Sequence, residues 1–195
     1  MRALWLVIYF GVLIWSAIEP KSYFIWSFEV APALIGVVLI VVTYQKFPLT
    51  PLLYRLILIH SIILMMGGHY TQAEVPIFDN LKTVFGFERN AFAYVGNFFQ
   101  GLVPALLARE ILIRFEVVRT PAWRHFIIIC ICLAVSAFYD LIGWWIAALF
   151  GDAVIQGDIW ETQSNMTLVL LGSICMLLLL RRVHDRQLER VDRNH

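Results

Sequence analysis

Six apolar stretches alternate with short polar connections along the chain. Each approaches the length of about 20 residues that a helix needs to cross the hydrocarbon core of a bilayer. The stretches cover residues 3–18, 24–44, 51–67, 91–113, 123–150 and 163–180. Because helices satisfy their own backbone hydrogen bonds in lipid, the pattern predicts an all-α polytopic transmembrane helix bundle. It comprises about six spans within residues 1–182, and a polar tail follows at 183–195.

The composition agrees with this pattern. Hydrophobic residues make up 61% of the 195 positions and charged residues only 15%, against about a quarter charged in an average soluble domain. A soluble domain of this length could not cover so much apolar surface. The composition therefore excludes a soluble globular protein, a disordered chain and a nucleic-acid-binding protein, and it makes membrane lipids the expected partners.

The basic residues predict the orientation of the spans. If the N-terminus is cytoplasmic, eleven of the fifteen lysines and arginines fall in cytoplasmic pieces and three in external loops, with Arg109 inside the fourth span. The three external residues are Lys21, Lys82 and Arg89. Lysine and arginine accumulate in cytoplasmic loops, so both chain ends are predicted to be cytoplasmic.

The external segment of residues 71–90 has its own periodicity. Val75, Phe78, Leu81 and Phe85 recur at intervals of three or four residues with polar residues between them. This spacing predicts a short helix that lies in the external membrane interface.

Polar residues within the outer halves of the spans are the candidates for a functional site. An ionisable group inside a span is costly and needs a partner. At about 1.5 Å of rise per residue, six polar side chains reach overlapping depths. These pocket candidates are Glu29, Asn97, Gln100, Ser136, Asp140 and Asn165. We expect them to line a pocket that opens outward, with Asp140 hydrogen-bonded to an amide or hydroxyl. The alternative is a polar clamp that only holds helices together.

Five further polar residues form a predicted external rim: His69, Glu74, Arg89, Asp158 and Glu161. Asp158 and Glu161 have the spacing of a helix cap. They could instead bind a metal with His69 and Glu74, but no strong metal-ligand motif occurs, so no metal or other cofactor is predicted. His60 and the three cysteines are interpreted as packing residues. Small residues such as Gly101 and Gly172 indicate close helix packing.

Arg109 and Glu110 lie near the cytoplasmic end of the fourth span. The sequence favours an anchoring role in which both side chains extend toward water.

Several strings in the sequence carry a resemblance to a known family. They are HYTQAEVP at 69–76, FQGLVPALLARE at 99–110, QGDIWETQ at 156–163 and HDRQL at 184–188. In this order and spacing the chain resembles the YjdF-like family, bacterial inner-membrane proteins with a domain of unknown function, and more distantly the VanZ-like membrane proteins. The resemblance implies location in the bacterial cytoplasmic membrane and no established activity. It also implies charged residues at positions that here hold Ala93, Asn97, Gly143 and Asn165.

Three functions remain open from the sequence. The first is a binding or accessory envelope protein without chemistry of its own, which fits the missing catalytic motifs and the reduced set of charges. The second is a membrane-embedded enzyme that acts on a lipid-linked envelope intermediate, with outer carboxylates as acid or base. The third is a small transporter, in which Pro32 and Pro104 would break helices. Whether the chain is an enzyme is thus left open, and a lipid-linked envelope molecule is a candidate partner.

Overall fold

The computed structural model describes residues 2–72, 74–76, 78, 91–150 and 161–192. These residues form helices and connecting turns, and no strand occurs among them. The helices are α1 (Arg2–Ala17), α2 (Tyr23–Thr43), α3 (Pro51–Tyr70), α4 (Phe92–Arg114), α5 (Pro121–Phe150), α6 (Glu161–Cys175) and α7 (Arg181–Asp192). A π-helical turn, Met176–Leu180, joins α6 directly to α7. The prediction of an all-α fold is confirmed.

Several helices have the length and apolar character of membrane spans. In the part of the chain that the structure describes, four stretches meet both conditions: Tyr23–Thr43, Pro51–Tyr70, Pro121–Leu149 and Glu161–Val191. The apolar part of α1, Ala3–Ala17, is shorter. Helix α4 has 23 residues but carries charged side chains in its last turns. The fold is that of a helical membrane protein, while the number of six spans and their orientation stay predictions.

The outward surface of these helices is apolar. Val42, Leu149 and Leu178 each expose more than two thirds of their surface, at 72%, 78% and 73%. Rows of exposed large apolar side chains are costly in water. They are the expected surface of helices that lie in lipid.

Local sequence explains where the helices begin and end. Pro51 occupies the first turn of α3, where its missing N–H costs nothing. The Ser22 side chain accepts a hydrogen bond from the Ile25 amide at the start of α2. Thr71 and Glu116 follow α3 and α4 with positive φ angles of 66° and 49°, a conformation that a helix cannot continue through.

The chain divides into two compact units, residues 1–96 and residues 97–195. In the first unit, α1 and α2 both pack against α3. Tyr9, Val30, Ala33 and Met65 belong to its buried core. The Tyr9 hydroxyl donates a hydrogen bond of 2.8 Å to the Ala33 carbonyl oxygen, so the one polar atom of this core tyrosine is satisfied.

In the second unit, α4 and α6 approach backbone to backbone at two glycines. A Cβ added at Gly101 would collide with the Val169 carbonyl, and one added at Gly172 would collide with the Phe98 carbonyl. This confirms the prediction that these glycines allow close helix packing. The Cys132 thiol of α5 donates a hydrogen bond of 3.6 Å to the Gly101 carbonyl oxygen, and this contact connects α5 to the same region.

Candidate functional site

Three predicted pocket residues meet in the second unit, and we call them the amide–carboxylate cluster: Asn97, Asp140 and Asn165. The Asn97 side-chain amide donates a hydrogen bond of 2.7 Å to Asn165 Oδ1. The Asn165 side chain is also within hydrogen-bonding reach of the Asp140 carboxylate. Since Asn165 Oδ1 already accepts from Asn97, its Nδ2 is the atom that donates to Asp140. The donors therefore run in one direction, from Asn97 through Asn165 to Asp140.

One oxygen of this cluster is left without a donor. Asp140 Oδ2 is buried and has no hydrogen-bond partner among the residues that the structure describes. A buried carboxylate oxygen without a donor is costly. The cluster therefore has an acceptor available for a group from outside the described chain.

The other pocket candidates have separate positions. Ser136 lies one helical turn from Asp140 on α5 and is buried, and Gln100 is half-buried on α4. Glu29 belongs to the first unit, where Gln72 Nε2 lies 2.8 Å from each of its carboxylate oxygens. The role of Gln72 was missed by the sequence analysis, because it lies just after the third apolar stretch. The predicted pocket that includes Glu29 stays a prediction.

The residues of the predicted rim differ in their surroundings. His69 Nδ1 lies 3.2 Å from the Ser16 carbonyl oxygen, and Glu74 forms an ion pair with Lys21. Glu161 is exposed and interacts electrostatically with Asp140. Arg89 and Asp158 lie outside the described residues.

The predicted interfacial helix lies mostly outside the described residues. Within it, the structure describes Val75 as fully buried. The ring of Phe78 lies 5.4 Å from that of Phe92, edge to face. The helical character of 71–90 stays a prediction.

A second polar group in the second unit is more deeply buried. We call it the arginine–histidine cluster: Arg109 and Glu110 of α4, with His184 and Asp185 of α7. Arg109 is 2% exposed, while Glu110 and His184 are fully buried. Arg109 Nη1 lies 2.6 Å from His184 Nδ1, and Arg109 Nη2 lies 2.5 Å from Asp185 Oδ1. His184 Nε2 lies 3.0 Å from Glu110 Oε2.

These contacts fix the proton on the His184 ring. Arginine can only donate, so His184 Nδ1 must accept from Arg109. His184 Nε2 then carries the hydrogen and donates it to Glu110. The histidine is thus a neutral bridge between a buried cation and a buried anion, and α7 is joined to α4 through it.

This arrangement corrects the interpretation of Arg109 and Glu110 as anchors that extend to water. Both are buried and paired with residues of α7. The polar pattern after residue 182 predicts a tail that contains His184 and Asp185, and it indicates no role for either residue. The available signal was the spacing of His184 and Leu188 on one helical face, and both are buried.

The π-helical turn lies directly between α6 and the two α7 residues of the arginine–histidine cluster, His184 and Asp185. A π turn inserts an extra residue into a helix and changes the direction in which the following side chains point. Such turns are frequent at functional sites. Here the π-helical turn contributes to the direction in which α7 presents His184.

Further basic residues surround this cluster. Arg114 Nη1 lies 3.4 Å from Glu110 Oε1, and Arg181 Nε lies 3.8 Å from Asp185 Oδ2. Arg124, at the start of α5, interacts electrostatically with Arg109, Arg181 and Asp185. The C-terminal end of α4 and the N-terminal ends of α5 and α7 thus bring these arginines close together.

No metal site is apparent in this part of the chain. Among the described residues, no group of three or more histidine, cysteine, aspartate or glutamate side chains could hold a metal ion. The three cysteines are free thiols.

The apolar helices and their buried polar pairs define a helical membrane protein. Residues 1–186 match the model of a family described as predicted membrane protein (DUF2238), and the chain belongs to this family. The chain is 46% identical over 184 residues to the inner membrane protein YjdF of Escherichia coli (strain K12), covering 92% of this chain and 88% of that protein. No solved structure matches the chain.

These matches confirm the YjdF-like resemblance and the expected location in a bacterial inner membrane. The more distant VanZ-like resemblance stays a prediction.

Proposed function

We propose that this inner-membrane protein is a binding or accessory protein that holds the polar headgroup of an envelope molecule at the amide–carboxylate cluster. The observation that carries this proposal is the buried Asp140 Oδ2, which lacks a donor among the described residues. A ligand that supplies a donor at this atom removes the cost of its burial. A polar clamp between helices would leave Asp140 Oδ2 without a donor, whereas a bound ligand would supply one.

The chemistry of the cluster selects the class of ligand. A carboxylate oxygen only accepts hydrogen bonds, whereas carboxamides both donate and accept. Hydroxyl groups match both requirements, while a phosphate group would be repelled by Asp140. We infer that the ligand is rich in hydroxyl groups, as in the sugar of a lipid-linked envelope intermediate.

The proposed topology gives this ligand a route of entry. With both chain ends cytoplasmic, Asn97, Asp140 and Asn165 lie in the outer halves of their spans. A pocket at this depth can be reached from the outer leaflet or the periplasm. The excess of basic residues on the other side supports this orientation.

One observation supports a second candidate function, a membrane-embedded enzyme. Glu161 interacts electrostatically with Asp140, and paired carboxylates can divide the roles of acid and base. Among the residues that the structure describes, no comparable observation supports a transporter. Pro32 and Pro104 lie inside the continuous helices α2 and α4, whereas transporters often use broken helices at the substrate site.

Native mass spectrometry of the protein taken from its own membrane tests the proposal. We expect a hydroxyl-rich molecule to remain bound to the wild type, and Asp140→Asn to lower its occupancy by about tenfold, as for loss of one charged hydrogen bond. Glu189→Gln is the matched control, because it removes a carboxylate from an exposed position of α7. Equal occupancy in the Asp140→Asn variant would contradict the proposal.

The envelope-precursor profile of a deletion strain separates binding from catalysis. An enzyme predicts that one precursor accumulates and that its converted product disappears. The binding function predicts that every precursor is still converted.

A further inference from the structure

The arginine–histidine cluster has hydrogen-bond donors that its own carboxylates do not use. Arg109 Nε, Arg124 Nε and His125 Nε2 are buried, and none has a partner among the residues that the structure describes. Arg109 is 2% exposed, so water is nearly absent from its side chain. A buried guanidinium N–H without an acceptor is costly, and it points to an acceptor from outside the described residues.

The three donors belong to one electrostatic neighbourhood. His125 interacts with Arg109, Arg124 and Arg181. Arg124 is also held in place, because its Nη1 donates to the Val118 carbonyl oxygen at 3.3 Å. The guanidinium of Arg124 is therefore positioned by its own chain and still has an unused donor.

The charges of this region do not cancel. Arg124 has two arginines, Arg109 and Arg181, and one carboxylate, Asp185, as its electrostatic neighbours. With Arg124 itself, three positive charges therefore face one negative charge. A partly buried excess of positive charge favours a bound anion.

We propose that the ends of α4, α5 and α7 form a binding site for the phosphate group of an anionic phospholipid. A phosphate offers several acceptor oxygens, and arginine binds them through charge-assisted hydrogen bonds. Arg124, His125 and the Nε atom of Arg109 supply the donors. His184 and Asp185 hold Arg109, and the carboxylates of Asp185 and Glu110 do not contact the phosphate. Basic pockets between membrane helices on the cytoplasmic side are known to bind such headgroups.

The surface next to Arg124 favours a phosphate that belongs to a lipid. Ala122, Trp123 and Phe126 line a shallow, open apolar depression there, and Trp123 and Phe126 are exposed. The rings of Trp123 and Phe126 lie 5.9 Å apart, edge to face. An apolar depression flanked by aromatic rings fits an acyl chain, and a free phosphate ion gains nothing from it. This site lies at the opposite end of the helices from Asp140, so it is independent of the proposed outer ligand.

Native mass spectrometry of the full chain in detergent tests this site with an equimolar mixture of phosphatidylglycerol and phosphatidylcholine. Both lipids carry the same acyl chains and differ in net charge. We expect the wild type to retain one phosphatidylglycerol in preference to phosphatidylcholine. Arg124→Gln should reduce this occupancy by about tenfold. His125→Ala, which changes no net charge, should reduce it severalfold.

The matched control is Arg119→Gln. It removes the same charge from an exposed side chain in the turn before α5, and we expect it to leave occupancy unchanged. An equal loss in the Arg119→Gln and Arg124→Gln variants would overturn the proposal, because attraction would then depend on net charge alone. Equal retention of the two lipids in the wild type would also overturn it. Displacement of the lipid by inorganic phosphate would show a site for the free ion and contradict the lipid source.

Discussion

His184 determines whether Arg109 and Glu110 can stay buried. Its ring accepts from the arginine and donates to the glutamate. Replacing it with alanine leaves two buried charges without their shared partner. We expect His184→Ala to cost about 3–6 kcal/mol, because it removes two hydrogen bonds to charged groups at about 1.5–3 kcal/mol each. The loss would appear as a lower melting temperature of the purified protein in detergent.

Two comparison variants make this test specific. His184→Gln can replace one of the two hydrogen bonds and should lose less stability than the alanine variant. Arg186→Ala changes an exposed side chain of the same helix and should have an effect close to zero. If His184→Ala melts at the same temperature as Arg186→Ala, the ring does not hold the buried charges in place.

Sequence reasoning could identify only part of these side-chain groups. Asn97, Asp140 and Asn165 could be predicted to lie together, because their depths follow from helix rise and span boundaries. Whether they bind a ligand stays a prediction. The histidine partner of Glu110 lies 74 residues away on α7, beyond the last apolar stretch. The spacing of His184 and Leu188 indicates that one face of α7 is buried, but it does not identify Glu110 as the residue that this face contacts.

The packing of α4 against α6 depends on two glycines. Added methyl groups at Gly101 or Gly172 would meet backbone atoms, which cannot rotate away. We expect Gly101→Ala or Gly172→Ala to cost about 1–3 kcal/mol or more. Gly36→Ala is the matched control on α2, because a Cβ there meets nothing within 4 Å. That control should be neutral or stabilise by up to about 1 kcal/mol.

The melting temperatures of the three variants test whether α4 and α6 are in backbone contact. A Gly101→Ala variant that is as stable as Gly36→Ala would mean that α4 and α6 are not in backbone contact.

Most helix bounds follow from the apolar pattern, and the exceptions have a physical reason. The sixth apolar stretch ends at residue 180, where Arg181 and Arg182 begin, yet the helix continues to Asp192. Hydropathy indicates whether a segment lies in lipid or in water. It does not indicate whether that segment is helical. Residues 181–190 are rich in arginine, glutamine, leucine and glutamate, which favour helices.

The six-span topology is the prediction that concerns the chain as a whole. Reporter fusions after Phe47, Arg119 and Arg190 should report the cytoplasm, and fusions after Lys21, Lys82 and Asp152 the external side. The reason is that this topology places eleven basic residues on the cytoplasmic side and three on the external side. An external signal from the Arg119 fusion would contradict the six-span arrangement.

The class and the all-helical fold of the molecule could be predicted because lipid imposes one solution on a long apolar chain. By hydropathy α4 does not count among the candidate spans, because charged side chains in its last turns lower its mean hydropathy. The structure shows that those charges are paired inside the second unit, so hydropathy understates how well α4 is accommodated.

We propose that the amide–carboxylate cluster opens to the outer side of the membrane. Labelling of Asn165→Cys with a membrane-impermeant thiol reagent in intact spheroplasts tests it most directly. Cys130, Cys132 and Cys175 are first replaced by serine, and Glu189→Cys on α7 serves as the control. We expect the cysteine at position 165 to be labelled in intact spheroplasts and the one at position 189 only after lysis. Labelling at position 165 only after lysis would contradict it.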